Sequence, residues 1–121
     1  MDFPNQLAVL AQAVALSRVG GDAELLQEMA QIFLEECPVQ MEAVREAVRN
    51  RDAKALERSA HSLKGSVGNF GAAQTQETAY RLEMMGRKGN IADAENALQN
   101  LEQALTLLQP EMENLALNGV R

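Results

Sequence analysis

His61, the one histidine of the chain, lies in a segment whose residue types suit the transfer of a phosphoryl group. Lys64 and Gly65 follow it by three and four residues, a spacing that places side chains on the same surface of a helix. A neutral imidazole keeps a nucleophilic nitrogen near pH 7, and a nearby lysine supplies the positive charge that a transferred phosphoryl group requires. The segment therefore predicts a nucleophile with charge support beside it.

Gly65 is an unusual residue for the interior of a helix, where glycine costs about 0.5 to 1 kcal/mol relative to alanine. Without a side chain at this position, the surface of a partner could approach the imidazole of His61 closely. Gly68 lies one turn further on, within about 20° of His61 at 100° per residue, and we assign it to the same docking surface. Each residue alone would be ordinary surface or, for Gly68, the end of a helix. Their combination favours the functional interpretation.

Such a site needs a helix whose apolar face is turned away from His61. After the capping candidate Asp52, apolar residues recur at intervals of three and four as far as Gly68: Ala53, Leu56, Ala60, Leu63 and Val67. This stripe is centred about 120° away from the histidine. We predict a helix over residues 52–68 with His61 facing outward.

The same periodicity predicts two helices before this one. A short first helix carries Leu7, Leu10 and Val14 and ends at Gly20-Gly21. A long second helix runs from the capping residue Asp22 to Arg49, with a kink expected at Pro38. Its apolar positions are Leu25, Met29, Ile32, Phe33, Val44 and Val48.

Two helices are predicted after the histidine. The fourth has a stripe of mostly small residues and ends between Gly86 and Asn90; its stripe is Ala72, Thr75, Ala79 and Leu82. The last has the strongest amphipathic pattern, and Pro110 is expected to bend or end it; its stripe is Ile91, Ala94, Leu98, Leu101, Leu105 and Leu108. Short connections favour antiparallel neighbours. We predict an all-α, up-and-down four-helix bundle with an additional short N-terminal helix, forming one domain over residues 1–121.

Composition excludes several classes of function. A net charge of −6 and a pI near 4.8 argue against a nucleic-acid partner. No apolar run approaches the roughly 18 residues of a membrane span, and residues 1–10 lack a signal-peptide pattern, so we expect a cytoplasmic protein. One cysteine, Cys37, and one histidine supply neither a disulfide nor a zinc site, and we expect no cofactor. A monomer is expected, although the leucine-rich last helix leaves a dimer open.

The segment Ala60-His61-Ser62-Leu63-Lys64-Gly65, followed after five residues by Gly71-Ala72, resembles the signature of the histidine-phosphotransfer (HPt) domain family. Phe33 and Pro38 in the second helix and Leu82-Glu83 in the fourth also resemble the usual positions of that family. The resemblance implies that His61 is phosphorylated, that Lys64 supports the phosphoryl charge, and that Gly65 provides clearance. It implies that Glu83 orients the imidazole through its unreactive nitrogen, with Gln76 or Glu77 as alternatives.

The resemblance also implies a covalent phosphoryl carrier, which is not an ATP-using kinase. His61 would accept the group from the aspartyl phosphate of a response-regulator receiver domain and pass it to another receiver aspartate. A hybrid sensor histidine kinase is a further candidate partner, and Mg²⁺ is expected on the receiver domain. Two alternatives stay open at this point: the phosphate-accepting domain of a chemotaxis-type kinase, and a helical scaffolding domain that is never phosphorylated.

Overall fold

A computed structural model of the chain describes residues 12–120, which fold into α-helices joined by short connections. The helices are α1 (Gln12–Arg18), α2 (Ala23–Arg49), α3 (Ala53–Gly68), α4 (Ala73–Lys88) and α5 (Ala94–Asn118). The predicted all-α class is confirmed, and within residues 12–120 the helices follow the predicted order. Leu7 and Leu10, which we assigned to the first helix, lie outside the described residues.

Aspartate caps fix where the two central helices begin. Oδ1 of Asp22 accepts a hydrogen bond from the backbone N–H of Leu25 at 3.0 Å, and Oδ1 of Asp52 accepts one from Ala55 at 3.1 Å. Each carboxylate satisfies an amide that has no partner within the first helical turn. Both predicted starting points are therefore correct.

The four long helices form a closed bundle. α2 packs against α3 and α5, and α4 packs against the same two helices, while α1 contacts α2. Because the connections between the long helices are short, successive helices run antiparallel. The largest fully buried apolar side chains come from all four long helices and from the α3–α4 connection: Leu26, Val44, Leu56, Leu63, Val67, Phe70, Leu82, Leu101, Leu108, Met112 and Leu115.

The buried face of α2 is rotated from our prediction near its start. Leu25 and Ile32 are 41% and 50% exposed, whereas Leu26 and Ala30 are fully buried. Leu26, Ala30 and Phe33 follow one another at steps of four and three, which is also a valid helical stripe. Two overlapping stripes occur in this segment, and packing against the rest of the bundle selects the second.

We predicted that Pro110 bends or ends the last helix, and the structure shows that it does not end α5. The helix continues for two more turns to Asn118, where Met112, Leu115 and Ala116 are buried in the core. A proline inside a helix costs about 3 kcal/mol, a penalty that burial of three apolar side chains can offset. α2 likewise continues through Pro38.

Within residues 12–120, no helix combines the length and the apolar character that a membrane crossing requires.

Candidate functional site

His61 lies on the outer side of α3, and its side chain is 65% exposed. Its Nδ1 atom is 2.8 Å from Oε2 of Glu83, a residue of α4 whose side chain is only 1% exposed. The exposed ring is therefore attached at one nitrogen to a buried carboxylate. This contact joins the two helices at the predicted nucleophile.

Two cations also contact the Glu83 carboxylate. Nζ of Lys64 is 2.8 Å from Oε1, and Nη2 of Arg87 is 3.0 Å from Oε2. Arg87 also contacts α3, because its Nε atom donates a hydrogen bond to Oε2 of Glu57 at 3.0 Å. We call these five residues, His61, Lys64, Glu83, Arg87 and Glu57, the Glu83 cluster. A buried charge requires such partners, because an unpaired one would be strongly destabilising.

Burial by itself would raise the pKa of the Glu83 carboxyl, but the net effect is in the other direction. Hydrogen bonds and positive charge from Lys64, together with the hydrogen bond from His61, outweigh the burial, and the pKa of Glu83 is lowered. The carboxyl group is therefore ionised at neutral pH and can only accept hydrogen bonds.

The charge state of Glu83 fixes the tautomer of the neutral imidazole. Because the carboxylate only accepts, Nδ1 of His61 must carry the proton and donate it to Oε2. Nε2 is then the nitrogen with the free electron pair, on a side chain that is mostly exposed. The site thus combines an anchored ring with an available nucleophilic atom.

Gly86 brings α3 and α4 unusually close together one turn beyond Glu83. A Cβ atom at this position would lie 2.5 Å from the backbone nitrogen of Glu57 and 2.6 Å from the carbonyl oxygen of Ala53. We had predicted Gly86 as part of the end of the fourth helix, but it is buried within α4, which ends at Lys88 with Gly89 in the left-handed conformation. Its role in the structure is close helix packing that brings the Glu83 cluster together.

The two glycines assigned to docking differ in their surroundings. Gly65 is exposed, and a Cβ atom added there would meet nothing within 4 Å. Gly68 is buried, and an added Cβ atom would lie 2.6 Å from Nε2 of Gln76. The side chain of Gln76 covers Gly68 in this structure, and its assignment to the docking surface stays a prediction.

Gln76 and Glu77, the alternatives to Glu83, are not at the histidine. Gln76 packs over Gly68, and Glu77 is exposed. The sequence interpretation missed Arg87 and Glu57, and also Tyr80, whose ring centroid is 5.2 Å from Nζ of Lys64. The spacing of Glu83 and Arg87, four residues apart on one helix, was the available signal.

An antiparallel helical bundle with an exposed histidine anchored by a carboxylate is typical of one class of protein, which carries a covalently bound group on a histidine side chain. Comparison with known proteins is more specific. The family model of the Hpt domain matches residues 28–111, and the chain belongs to the Hpt domain family. It is a histidine-phosphotransfer intermediate of a phosphorelay.

The fold is similar to that of a solved structure. The crystal structure of histidine-containing phosphotransfer protein B (HptB) from Pseudomonas aeruginosa PAO1 matches with a TM-score of 0.81 and 21% sequence identity. The match covers 89% of this chain and 94% of that chain. Among curated proteins, none matches this chain.

Proposed function

We propose that His61 is the phosphorylated residue and that the chain carries a phosphoryl group between the aspartates of receiver domains. The observation that carries this proposal is the hydrogen bond from Nδ1 of His61 to the buried Glu83, which leaves Nε2 as the nucleophilic nitrogen. In this proposal the partners are cytoplasmic response-regulator receiver domains, and Mg²⁺ belongs to the receiver.

In the transfer step, the electron pair of Nε2 attacks the phosphorus atom of the receiver's aspartyl phosphate. An N–P bond forms, the P–O bond to the aspartate breaks, and the electron pair of that bond returns to the aspartate carboxylate. The ring keeps its Nδ1 proton and therefore gains positive charge. Glu83 lies 2.8 Å from that nitrogen and stabilises the charge as it develops.

Lys64 is held next to the reacting imidazole by the same Glu83 carboxylate. Its ammonium group contacts Oε1 of Glu83, while His61 contacts Oε2, so the cation lies beside the reacting ring. This position suits our proposal that Lys64 also supports the charge of the three phosphoryl oxygens. The open space at Gly65 suits close approach of the receiver.

The test is transfer from a radiolabelled, phosphorylated receiver domain, with Mg²⁺, to this chain. We expect label on the chain that is labile in acid and stable in base, located on His61 by peptide mapping. Because the cognate receiver has to be found, several receivers are tried in parallel. Label on another residue, or no label with any receiver, would contradict the proposal.

A further inference from the structure

The charges of this chain are divided unevenly along it. Residues 51–88, which include α3 and α4, carry seven lysines and arginines against four carboxylates, a formal charge of +3. The remaining residues carry four against thirteen, a formal charge of −9. In this acidic protein, most of the basic side chains are therefore concentrated in the segment that forms α3, the helix of His61, and α4, the helix of Glu83.

The cations around His61 are of two kinds. Lys64 and Arg87 are engaged by the Glu83 carboxylate. Lys54 and Arg58 are exposed, and neither forms an ion pair with any residue of the described range. Their charges remain free for a partner.

Lys54 and Arg58 share the outer line of α3 with His61. At 100° per residue they lie within about 20° and 60° of the histidine, and Gly65 lies within about 40°. Arg58, His61 and Ser62 also line one shallow surface depression with Glu83 and Arg87. We call Lys54, Arg58, His61 and Gly65 the basic ridge.

We propose that the basic ridge is the docking surface for the acidic face of a receiver domain, and that Arg58 and Lys54 recruit this partner by charge. The inference rests on the proposed function, because it names the surface that serves the same histidine. Charge complementarity supports it: a phosphoryl group contributes about −1.5 to −2 charges at neutral pH, and the ridge presents two unpaired cations, of which Arg58 lines the same depression as His61. The formal charge of −9 on the remaining residues favours approach of an acidic partner to the α3–α4 side of the bundle.

Charges at the margin of an interface act mainly on the rate of association. Exposed charges accelerate diffusional encounter of complementary surfaces, and salt screens this effect. Arg58 is therefore a recognition residue, and Lys64 and Glu83 act on the transfer step itself. The two roles can be separated kinetically.

The experiment compares Arg58→Glu with Arg81→Glu. Arg81 is exposed on α4, about 160° around that helix from Glu83, and forms no ion pair within the described range. Both variants change the net charge equally. Association is measured by stopped flow with a receiver domain loaded with Mg²⁺ and beryllofluoride, and transfer with the same receiver as its aspartyl phosphate, with thermal unfolding as the check on folding.

We expect Arg58→Glu to lower the association rate constant about tenfold at low ionic strength, and Arg81→Glu to change it less than about twofold. The first-order transfer rate at saturating receiver should change less than about twofold in both variants. Near 1 M salt, where the Debye length is about 3 Å, the difference in association should largely disappear.

Equal effects of the two variants would overturn the proposal, because net charge alone would then explain them. A fall confined to the first-order transfer rate would also overturn it and move Arg58 into the chemistry. The proposed function fails separately: a receiver that docks in an Arg58-dependent manner but never labels His61 would leave the docking surface standing and remove the phosphorylated histidine.

Discussion

The α3–α4 pair and the α2–α5 pair belong to one bundle but are packed in different ways. Between α3 and α4, Gly86 allows the backbones to approach closely, and a buried carboxylate contacts side chains of both helices. Between α2 and α5, larger side chains such as Phe33, Met41 and Leu105 line an open cavity of about 450 Å³.

This difference indicates that the α3–α4 pair positions the site precisely, whereas the α2–α5 pair contributes mainly to the stability of the fold. In the transfer step that we propose, Nε2 of His61 must be aligned with a phosphorus atom, and an error of about 1 Å can cost a hundredfold in rate. The Glu83 cluster and the contact at Gly86 supply that alignment. The α2–α5 pair contributes apolar burial and an Arg45–Glu102 ion pair whose partners are 40% and 38% exposed, and it can tolerate looser packing.

The largest effect expected from this comparison is that of His61→Gln. Glutamine has no nucleophilic nitrogen comparable to that of imidazole, so transfer from a phosphorylated receiver should be abolished. The fold should persist, because the side chain is 65% exposed. The control is Leu117→Gln on α5, where the leucine is 79% exposed; it should transfer as the wild type does. Normal labelling of the His61 variant would remove this residue from the mechanism.

Gly65→Gln is expected to have the next largest effect. The new side chain would occupy the open space one turn from His61, and transfer should fall by about a hundredfold. Glutamine is a better helix former than glycine, so the domain should be as stable as before or more stable, by up to about 1 kcal/mol.

Thermal unfolding and transfer assays on the same Gly65→Gln sample separate these two effects. If the variant unfolds, Gly65 serves packing within the bundle. If it is stable and transfers normally, the receiver docks elsewhere.

Gly86→Ala should lower the stability of the domain, because the added methyl group would force α3 and α4 apart. Alanine is about 1 kcal/mol better than glycine in a helix, but its Cβ would be 2.5 Å from a backbone nitrogen of α3. We expect a net destabilisation of about 1 to 3 kcal/mol, measured by urea unfolding. Gly65→Ala is the matched control, since it adds the same methyl group in open space and should stabilise the domain. Equal stability of the two variants would mean that the close approach at Gly86 is unimportant.

Most of the helices could be predicted from the sequence, because the periodicity of apolar residues in a helix is a local property. Aspartate caps set the starts of α2 and α3, and the buried stripe of α3 is correctly predicted from Leu56 to Val67. The exposure of Leu25 and the continuation of α5 beyond Pro110 depend on packing with other helices, which a one-dimensional pattern does not contain.

The site was predictable to a similar extent. His61, Lys64 and Glu83 come together as their spacing and the family resemblance indicated. The burial of Gly68 beneath Gln76 and the packing role of Gly86 were missed, because both depend on the distance between α3 and α4. A glycine's own sequence position does not tell whether its α-carbon faces solvent or another helix.

The smallest expected effect concerns the stability of the Glu83 cluster in acid. Lys64 and His61 lower the pKa of Glu83 in the folded protein despite its burial, whereas the unfolded chain has the ordinary value near 4.5. The ionised carboxylate therefore stabilises the fold above pH 4.5, and this contribution is lost as the pH falls through the lowered folded-state pKa.

Glu83→Gln tests this contribution, because glutamine keeps an oxygen that can accept a hydrogen bond from Nδ1 of His61 but cannot titrate. The difference in unfolding free energy between wild type and Glu83→Gln should thus shift against the wild type as the pH falls below about 4.5. Urea unfolding at several pH values measures this difference, with Glu77→Gln, an exposed carboxylate on the same helix, as the control. A difference that does not change with pH would mean that the charge of Glu83 contributes nothing to folding and that its hydrogen bond to His61 is enough.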